Sequence, residues 1–290
     1  MLRETENKIL NYLNTWKQVD GSLTGLVELY GDLLKVQVQA REKIAIPHFT
    51  LTPQEVARKL RQGTPLLLFG DIAWDWTLLG EVFRKVVAVI QEYSADDPEE
   101  LAKLEDIVAQ GSLLQQAVKA WYEGSLPLAD TVAPGINERL LTGMIQATLY
   151  PFLSAYAEAL SVSLSMESWR RGYCPVCGGR PDLAFLDKDK GARRLICCRC
   201  DTQWLFQRLQ CPYCNTDDQQ ALSYLSEERG LYRLYLCEKC HNYLKAVDLR
   251  KTQAEVLLPL ERVVTVDMDR QGLEAGYQPG WSTLPAHSPR

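Results

Sequence analysis

The sequence predicts an α+β chain: an N-terminal all-α helical bundle followed by two tandem four-cysteine knuckle modules. Three observations carry this. All nine cysteines lie between Cys174 and Cys240, and none precedes them. Before residue 170 the apolar residues recur at helical spacing with no alternating strand pattern of any length. After it, short β-type runs separated by glycine turns alternate with the cysteine pairs. Charge divides at the same place, with net −7 up to residue 165 and +2 beyond it, within a total of −5 over 290 residues. The boundaries drawn on this basis are 1–165 for the helical domain, 166–208 for the first ribbon, 209–250 for the second and 251–290 for a segment that packs back and ends in a flexible tail.

In the helical half, Thr52, Pro53 and Glu55 form a capping box with proline at the first helical position, and Gly63 stops that helix after Val56 and Leu60. Asp97-Pro98-Glu99-Glu100 starts another, carrying Leu101, Leu104, Ile107 and Val108 as far as Gly111, and a third covers Ser112 to Glu123. Glu138 to Ser165 reads as a long apolar helix, kinked or restarted near Pro151. Its uncharged stretch from Leu140 to Ala157 holds polar residues and a proline, which favours a buried core helix over a membrane span. Pro65 to Trp76 is either a strand or a buried connector, and Trp74 and Trp76 serve either the core or a partner groove. Leu26, Leu29, Leu33 and Trp16 likewise offer apolar surface either to the core or to a homodimer.

Composition narrows the classes of function. Hydrophobic residues at 46% and charged residues at 24% describe an ordinary globular protein. The acidic balance argues against a general polyanion binder, and Arg193, Arg194 and Arg199 are the one basic cluster of note. The N-terminus has no apolar run of signal-peptide length, which implies the cytoplasm. Walker, G-x-S-x-G and G-x-G-x-x-G motifs are absent and His48, His241 and His287 are scattered, so no catalytic constellation is legible.

The chemistry lies in four C-x-x-C pairs: Cys174/Cys177, Cys197/Cys200, Cys211/Cys214 and Cys237/Cys240. Each such turn aims two thiolates at one point, and two turns joined by a hairpin complete a tetrahedral all-thiolate site. Intervals of 19 and 22 residues fit or nearly fit the usual spacing, so the simplest grouping is sequential, with an interleaved grouping as the alternative. The hairpins are Leu183–Leu186 with Arg193–Ile196, turning at Gly191, and Ala221–Ser226 with Leu231–Leu236, turning at Gly230. Four regular pairs in a reducing compartment are poorly explained by disulfides or by a single redox motif. Two metal ions, iron or zinc, are therefore expected. Cys198 is either a shielded thiol or a spare thiolate near the first site, and His241 is a substitute ligand only if a cysteine is not used.

CPVCGGRP, CCRCDTQW, RLQCPYC, CEKCHNYLKAVD and the late EAGY together resemble the formate dehydrogenase accessory protein family, FdhE, with a weaker echo in Gly63-Thr64-Pro65-Leu66-Leu67. The resemblance implies a cytoplasmic, non-enzymatic maturation factor with rubredoxin-like or zinc-ribbon four-cysteine sites, which contacts the catalytic subunit of formate dehydrogenase and is needed for active enzyme. It carries the eight paired cysteines over as metal ligands, and implies neither nucleic acid nor membrane insertion. The stretches 166–173 and 250–265 are the expected partner cleft. A rubredoxin-like electron carrier and a nucleic-acid-binding zinc ribbon are the alternatives.

Overall fold

The structure, a computed structural model, describes residues 2–16, 24–46, 51–93, 98–125, 128–132, 134–161 and 168–281. Asp97, His48 and His287 lie outside these residues. In chain order the helices are α1 (Leu2–Trp16), α2 (Thr24–Lys43), α3 (Pro53–Gln62), α4 (Trp76–Tyr93), α5 (Pro98–Ala109), α6 (Gly111–Glu123), α7 (Ala129–Val132) and α8 (Glu138–Ser161). The strands β1 (Pro181–Leu186), β2 (Arg193–Cys197), β3 (Gln203–Leu205), β4 (Leu222–Ser226), β5 (Tyr232–Cys237) and β6 (Asn242–Asp248) follow, then α9 (Leu258–Val264), α10 (Val266–Glu274) and β7 (Gln278–Pro279). Two compact units result: residues 1–47 with 69–156, and residues 48–68 with 157–290. Helix α3, which the sequence assigns to the helical half, lies with the cysteine-bearing unit.

The first unit is helical. Leu79, Phe83 and Val86 of α4 and Leu141, Ile145 and Leu149 of α8 are fully buried, each set spaced along one helical face. α8 is one helix through Pro151, without the restart that the sequence allows for. Proline at 151 cannot donate to the carbonyl of Ala147. That orphaned oxygen instead accepts from Gln37 Nε2 of α2 at 2.9 Å, so a side chain from a neighbouring helix supplies the missing bond. Arg41 of α2 is buried between Glu6 of α1 at 3.5 Å and Ser154 of α8 at 3.0 Å. Of the Pro65 to Trp76 stretch, residues 65–75 form no strand and Trp76 opens α4. Trp74 stacks on Trp76 with ring centres 5.6 Å apart and meets Phe69, Tyr122 and Phe152, and both tryptophans are half-buried. Leu26, Leu29 and Leu33 are half-buried. No helix among the described residues is long and apolar enough to cross a membrane.

In the second unit α3 is built as its sequence dictates. Thr52 Oγ1 accepts from the Glu55 amide, the Glu55 carboxylate accepts from the Thr52 amide, and Gly63 closes the helix at φ 75°. The sheet has the order β3-β2-β1-β6-β5-β4, with β7 against β6. The expected hairpins appear as β1–β2 and β4–β5. The chain therefore repeats one pattern: a knuckle, two hairpin strands, a knuckle and a third strand, first over 174–205 and again over 211–248. The two ribbons are not separate beads. β1 pairs with β6 in parallel, Leu183 to Lys245 through Leu186 to Asp248, and fuses them into a single sheet. Leu183, Phe185, Ile196 and Val247 form a core on this sheet with Val256 and Leu258 packed on it. The 250–265 segment thus packs one side against the sheet, with Leu260 and Val263 of α9 buried. Trp169 is buried too, its Nε1 donating to the Tyr173 carbonyl at 2.7 Å.

Candidate metal centres

Each knuckle is closed the same way. The amide of the residue after the second cysteine donates to the carbonyl of the first: Gly178 to Cys174 at 3.0 Å, Asp201 to Cys197 at 3.2 Å, Asn215 to Cys211 at 3.0 Å and His241 to Cys237 at 2.8 Å. All four of these residues are left-handed, at φ 75°, 58°, 61° and 50°. Glycine takes that conformation freely, and Asn, Asp and His tolerate it better than most. His241 is therefore a backbone residue of the fourth knuckle. The turn also aims an amide at sulfur, with Val176, Arg199 and Tyr213 each 3.4 Å from the Sγ of Cys174, Cys197 and Cys211 respectively. Such donors stabilise thiolate charge.

The knuckles meet in sequential pairs. Cys174, Cys177, Cys197 and Cys200 form one group and Cys211, Cys214, Cys237 and Cys240 the other, the four sulfurs of each lying within 4.8 Å of one another. In the first group the sulfur separations are 3.7 Å (Cys174–Cys200), 3.5 Å (Cys177–Cys197) and 3.4 Å (Cys177–Cys200). In the second, Cys211–Cys240 and Cys214–Cys237 are both 3.7 Å. These are too long for disulfides, and all nine thiols are unbridged. A tetrahedron with metal–sulfur bonds of about 2.3 Å has edges of about 3.8 Å, so the donor sets fit a four-thiolate ion. Zinc and iron both accept such a set.

Within each group the thiols are electrostatically linked. Burial pushes Cys174 and Cys200 well above the ordinary thiol range. Burial opposes the Cys197 thiolate as well, but hydrogen bonds from Cys174, Cys177, Cys198 and Cys200 outweigh it and bring its pKa well below the ordinary value. In the second group a hydrogen bond with Cys240 pushes Cys211 up, the same bond brings Cys240 down to about 5, and burial holds Cys237 at about 11. One sulfur in each group ionises at its neighbours' expense, and a divalent cation is what would let all four ionise together.

Several supporting residues carry no signal of their own in the cysteine pattern. Leu66 and Leu67 donate their amides to the carbonyls of Pro175 and Val176, both at 2.9 Å, inside the first knuckle. The Gly63–Leu67 segment noted in the sequence was the available hint, and Tyr173 Oη adds a bond to the Gly63 carbonyl at 2.7 Å. Arg262 of α9 is bidentate on buried Asp182, at 2.6 and 2.9 Å, pairs with Asp201 at 2.8 Å and donates to the Cys197 carbonyl at 3.1 Å. Thr202 Oγ1 lies 3.1 Å from Cys200 Sγ. Cys198 is buried, with its thiol hydrogen-bonded to Cys197 and its amide donating to the Arg180 carbonyl at 3.0 Å. It is a shielded neighbour of the first group and not a member of it.

The family model described as FdhE, central domain, matches residues 173–208. An FdhE homolog of Aquifex aeolicus is 25% identical over 92% of this chain and 90% of its own length. One from Pseudomonas aeruginosa is 29% identical over 48% of this chain and 50% of its own, and one from Haemophilus influenzae is 37% identical over a quarter of each. The crystal structure of the FdhE protein from Pseudomonas aeruginosa superposes with a TM-score of 0.62 at 19% identity, covering 94% of this chain and 91% of that one, which shows a shared fold. This chain is thus similar to an FdhE homolog over nine-tenths of its length and matches the FdhE central-domain model where its first four thiols meet.

Proposed function

We propose that this protein is an accessory factor for formate dehydrogenase that binds the catalytic subunit and is needed for its assembly into active enzyme, without catalysing a reaction itself. The observation that carries the reading is the pairing of two four-thiol groups in one fused sheet with similarity to FdhE proteins over most of the chain. In this reading Cys174, Cys177, Cys197 and Cys200 hold one metal ion and Cys211, Cys214, Cys237 and Cys240 a second, either iron or zinc. A bound divalent ion would offset half of the charge of each group's four thiolates and lock knuckles that so small a ribbon could not hold by its core alone. The chain's own part is to present a rigid surface to a partner in the cytoplasm. Anaerobic affinity purification from cells expressing formate dehydrogenase, with metal analysis of the eluate, tests it. Recovery of the catalytic subunit with about two metals per chain is the expected result, and full metal loading without that subunit would overturn it.

One observation favours a second reading, a rubredoxin-like electron carrier: Cys214 and Cys240 are partly exposed, which brings the second group within reach of a redox partner. A reversible one-electron wave in voltammetry of the iron-loaded protein would support it, and finding only zinc would remove it.

A further inference from the structure

The sheet ends at β4, and among the described residues no strand pairs with its outer edge. Natural edges are usually guarded by charge, proline or a bulge. β4 reads Leu-Ser-Tyr-Leu-Ser, has none of these guards, and is exposed from Ser223 onward. Large apolar side chains stand bare around it: Leu209 is 60% exposed, Tyr224 51% and Leu225 48%.

Behind this edge lies a cavity of about 240 Å³, between the sheet and the 208–213 segment that links the two ribbons. The strand register puts Tyr224, Tyr235 and Leu244 on the sheet face that floors it. Its lining includes Arg193, Arg208 and Arg233 and no carboxylate. Arg233 is matched by Asp248 at 2.7 Å. Arg193 is not so matched: its guanidinium donates to the carbonyls of Gln207 and Gln210 and lies over the rings of Phe206 and Tyr235, its Nε has no hydrogen-bond partner, and the residue is only 3% exposed. Arg208, by contrast, is exposed. Arg193 is thus buried without a carboxylate partner, the anionic groups in the same lining being the Cys211 and Cys237 sulfurs once the second group is metal-loaded, and a buried guanidinium is most favourable when paired with a carboxylate.

We infer that this edge and its cavity bind an extended, acidic segment of the partner polypeptide, which adds as a strand to β4 and places a carboxylate side chain among Arg193, Arg208 and Arg233. Main-chain hydrogen bonds supply affinity, alternate side chains supply specificity, and apolar residues of the segment cover Leu209 and Tyr224. The inference rests on the reading that the partner is the formate dehydrogenase catalytic subunit, and names the kind of segment it presents. Without a partner strand the same edge would suit a second copy of this chain, which the test distinguishes.

The test uses the full-length, metal-loaded chain and the purified catalytic subunit. Leu225→p-benzoylphenylalanine places a photo-cross-linker on the exposed edge, and the cross-linked peptide is mapped by mass spectrometry. Arg208→Glu reverses the charge at an exposed position, and Arg270→Glu makes the same change on α10, where Arg270 is 66% exposed. The expected result is a cross-link to one contiguous segment rich in Asp or Glu, with binding weakened about tenfold by Arg208→Glu, the loss narrowing at high salt, and little change from Arg270→Glu. Binding that persists without a cross-link, and with both charge variants alike, would overturn the inference while leaving the accessory role standing. Cross-links only between copies of this chain would assign the edge to self-association and overturn it too. If the unmodified chain does not bind the subunit at all, the accessory role falls and the inference with it.

Discussion

The two four-cysteine groups are built from the same knuckle, yet they sit in different surroundings. In the first, every sulfur-bearing residue is at most 3% exposed, and α9, the Leu66–Leu67 amides and Arg262 all brace it. In the second, Cys214 and Cys240 are partly open, and the cavity beside Cys211 and Cys237 leads to a bare sheet edge. Local sequence makes the knuckle, whereas its neighbours decide whether the site is a staple or an accessible centre. The expectation is therefore a structural first site and an exchangeable second one.

The largest effect should come from breaking the first group. Cys174→Ser is expected to remove one metal equivalent and lower Tm by about 10 °C or more, because a closed thiolate site contributes folding free energy directly. Cys240→Ser should also remove one equivalent but shift Tm by roughly half as much, since half of that site already faces water. Equal shifts in differential scanning calorimetry would erase the distinction between the sites. Next comes Arg262→Ala, which strands the carboxylates of Asp182 and Asp201 and releases the Cys197 carbonyl. A destabilisation of about 3–5 kcal/mol in denaturant titration is expected, the scale for breaking a buried ion pair.

Metal exchange sharpens the comparison kinetically. With a chromogenic chelator, one equivalent should leave on the order of ten times faster than the other, because solvent access differs. Cys240→Ser should abolish the fast phase and Cys174→Ser the slow one. At the level of the knuckle, Gly178→Ala should cost about 1–2 kcal/mol for placing a side chain at a left-handed position, while Asn215→Gly should be neutral or slightly stabilising.

The smallest effect belongs to the seam between the ribbons. Asp248, which pairs with Leu186 in the β1·β6 register, is held below its ordinary pKa of 3.8 by hydrogen bonds from Arg250 and by Arg233, against burial. The stability this contributes is present above pH 3.8 and is lost as the pH falls through the lower folded value. The Tm difference between wild type and Asp248→Asn should therefore be level near neutral pH and close below pH 3.8. A gap that is unchanged by pH would show that the carboxylate's charge is not what holds the seam.

Much of the site was legible because its geometry is local. A C-x-x-C turn aims its two thiols from within four residues, and the interval between pairs measures out a hairpin. The capping box of α3 was readable for the same reason: Thr52 and Glu55 bond each other within one turn. What escaped were contacts between segments far apart in the chain. Nothing near Pro151 says that Gln37 will satisfy the carbonyl of Ala147 and keep α8 continuous. Nothing near Arg262 says that it will bind Asp182, 80 residues earlier.

The sequence by itself determined where the cysteine turns lie, where the hairpins turn and which half of the chain is helical, because each depends on residues a few positions apart. Only the tertiary structure decided that a parallel β1·β6 pairing fuses two ribbons into one sheet, that α3 belongs with them, and that one group is sealed while the other stays open. Parallel pairing and burial depend on which distant surfaces exclude water together, and no local pattern encodes that partner.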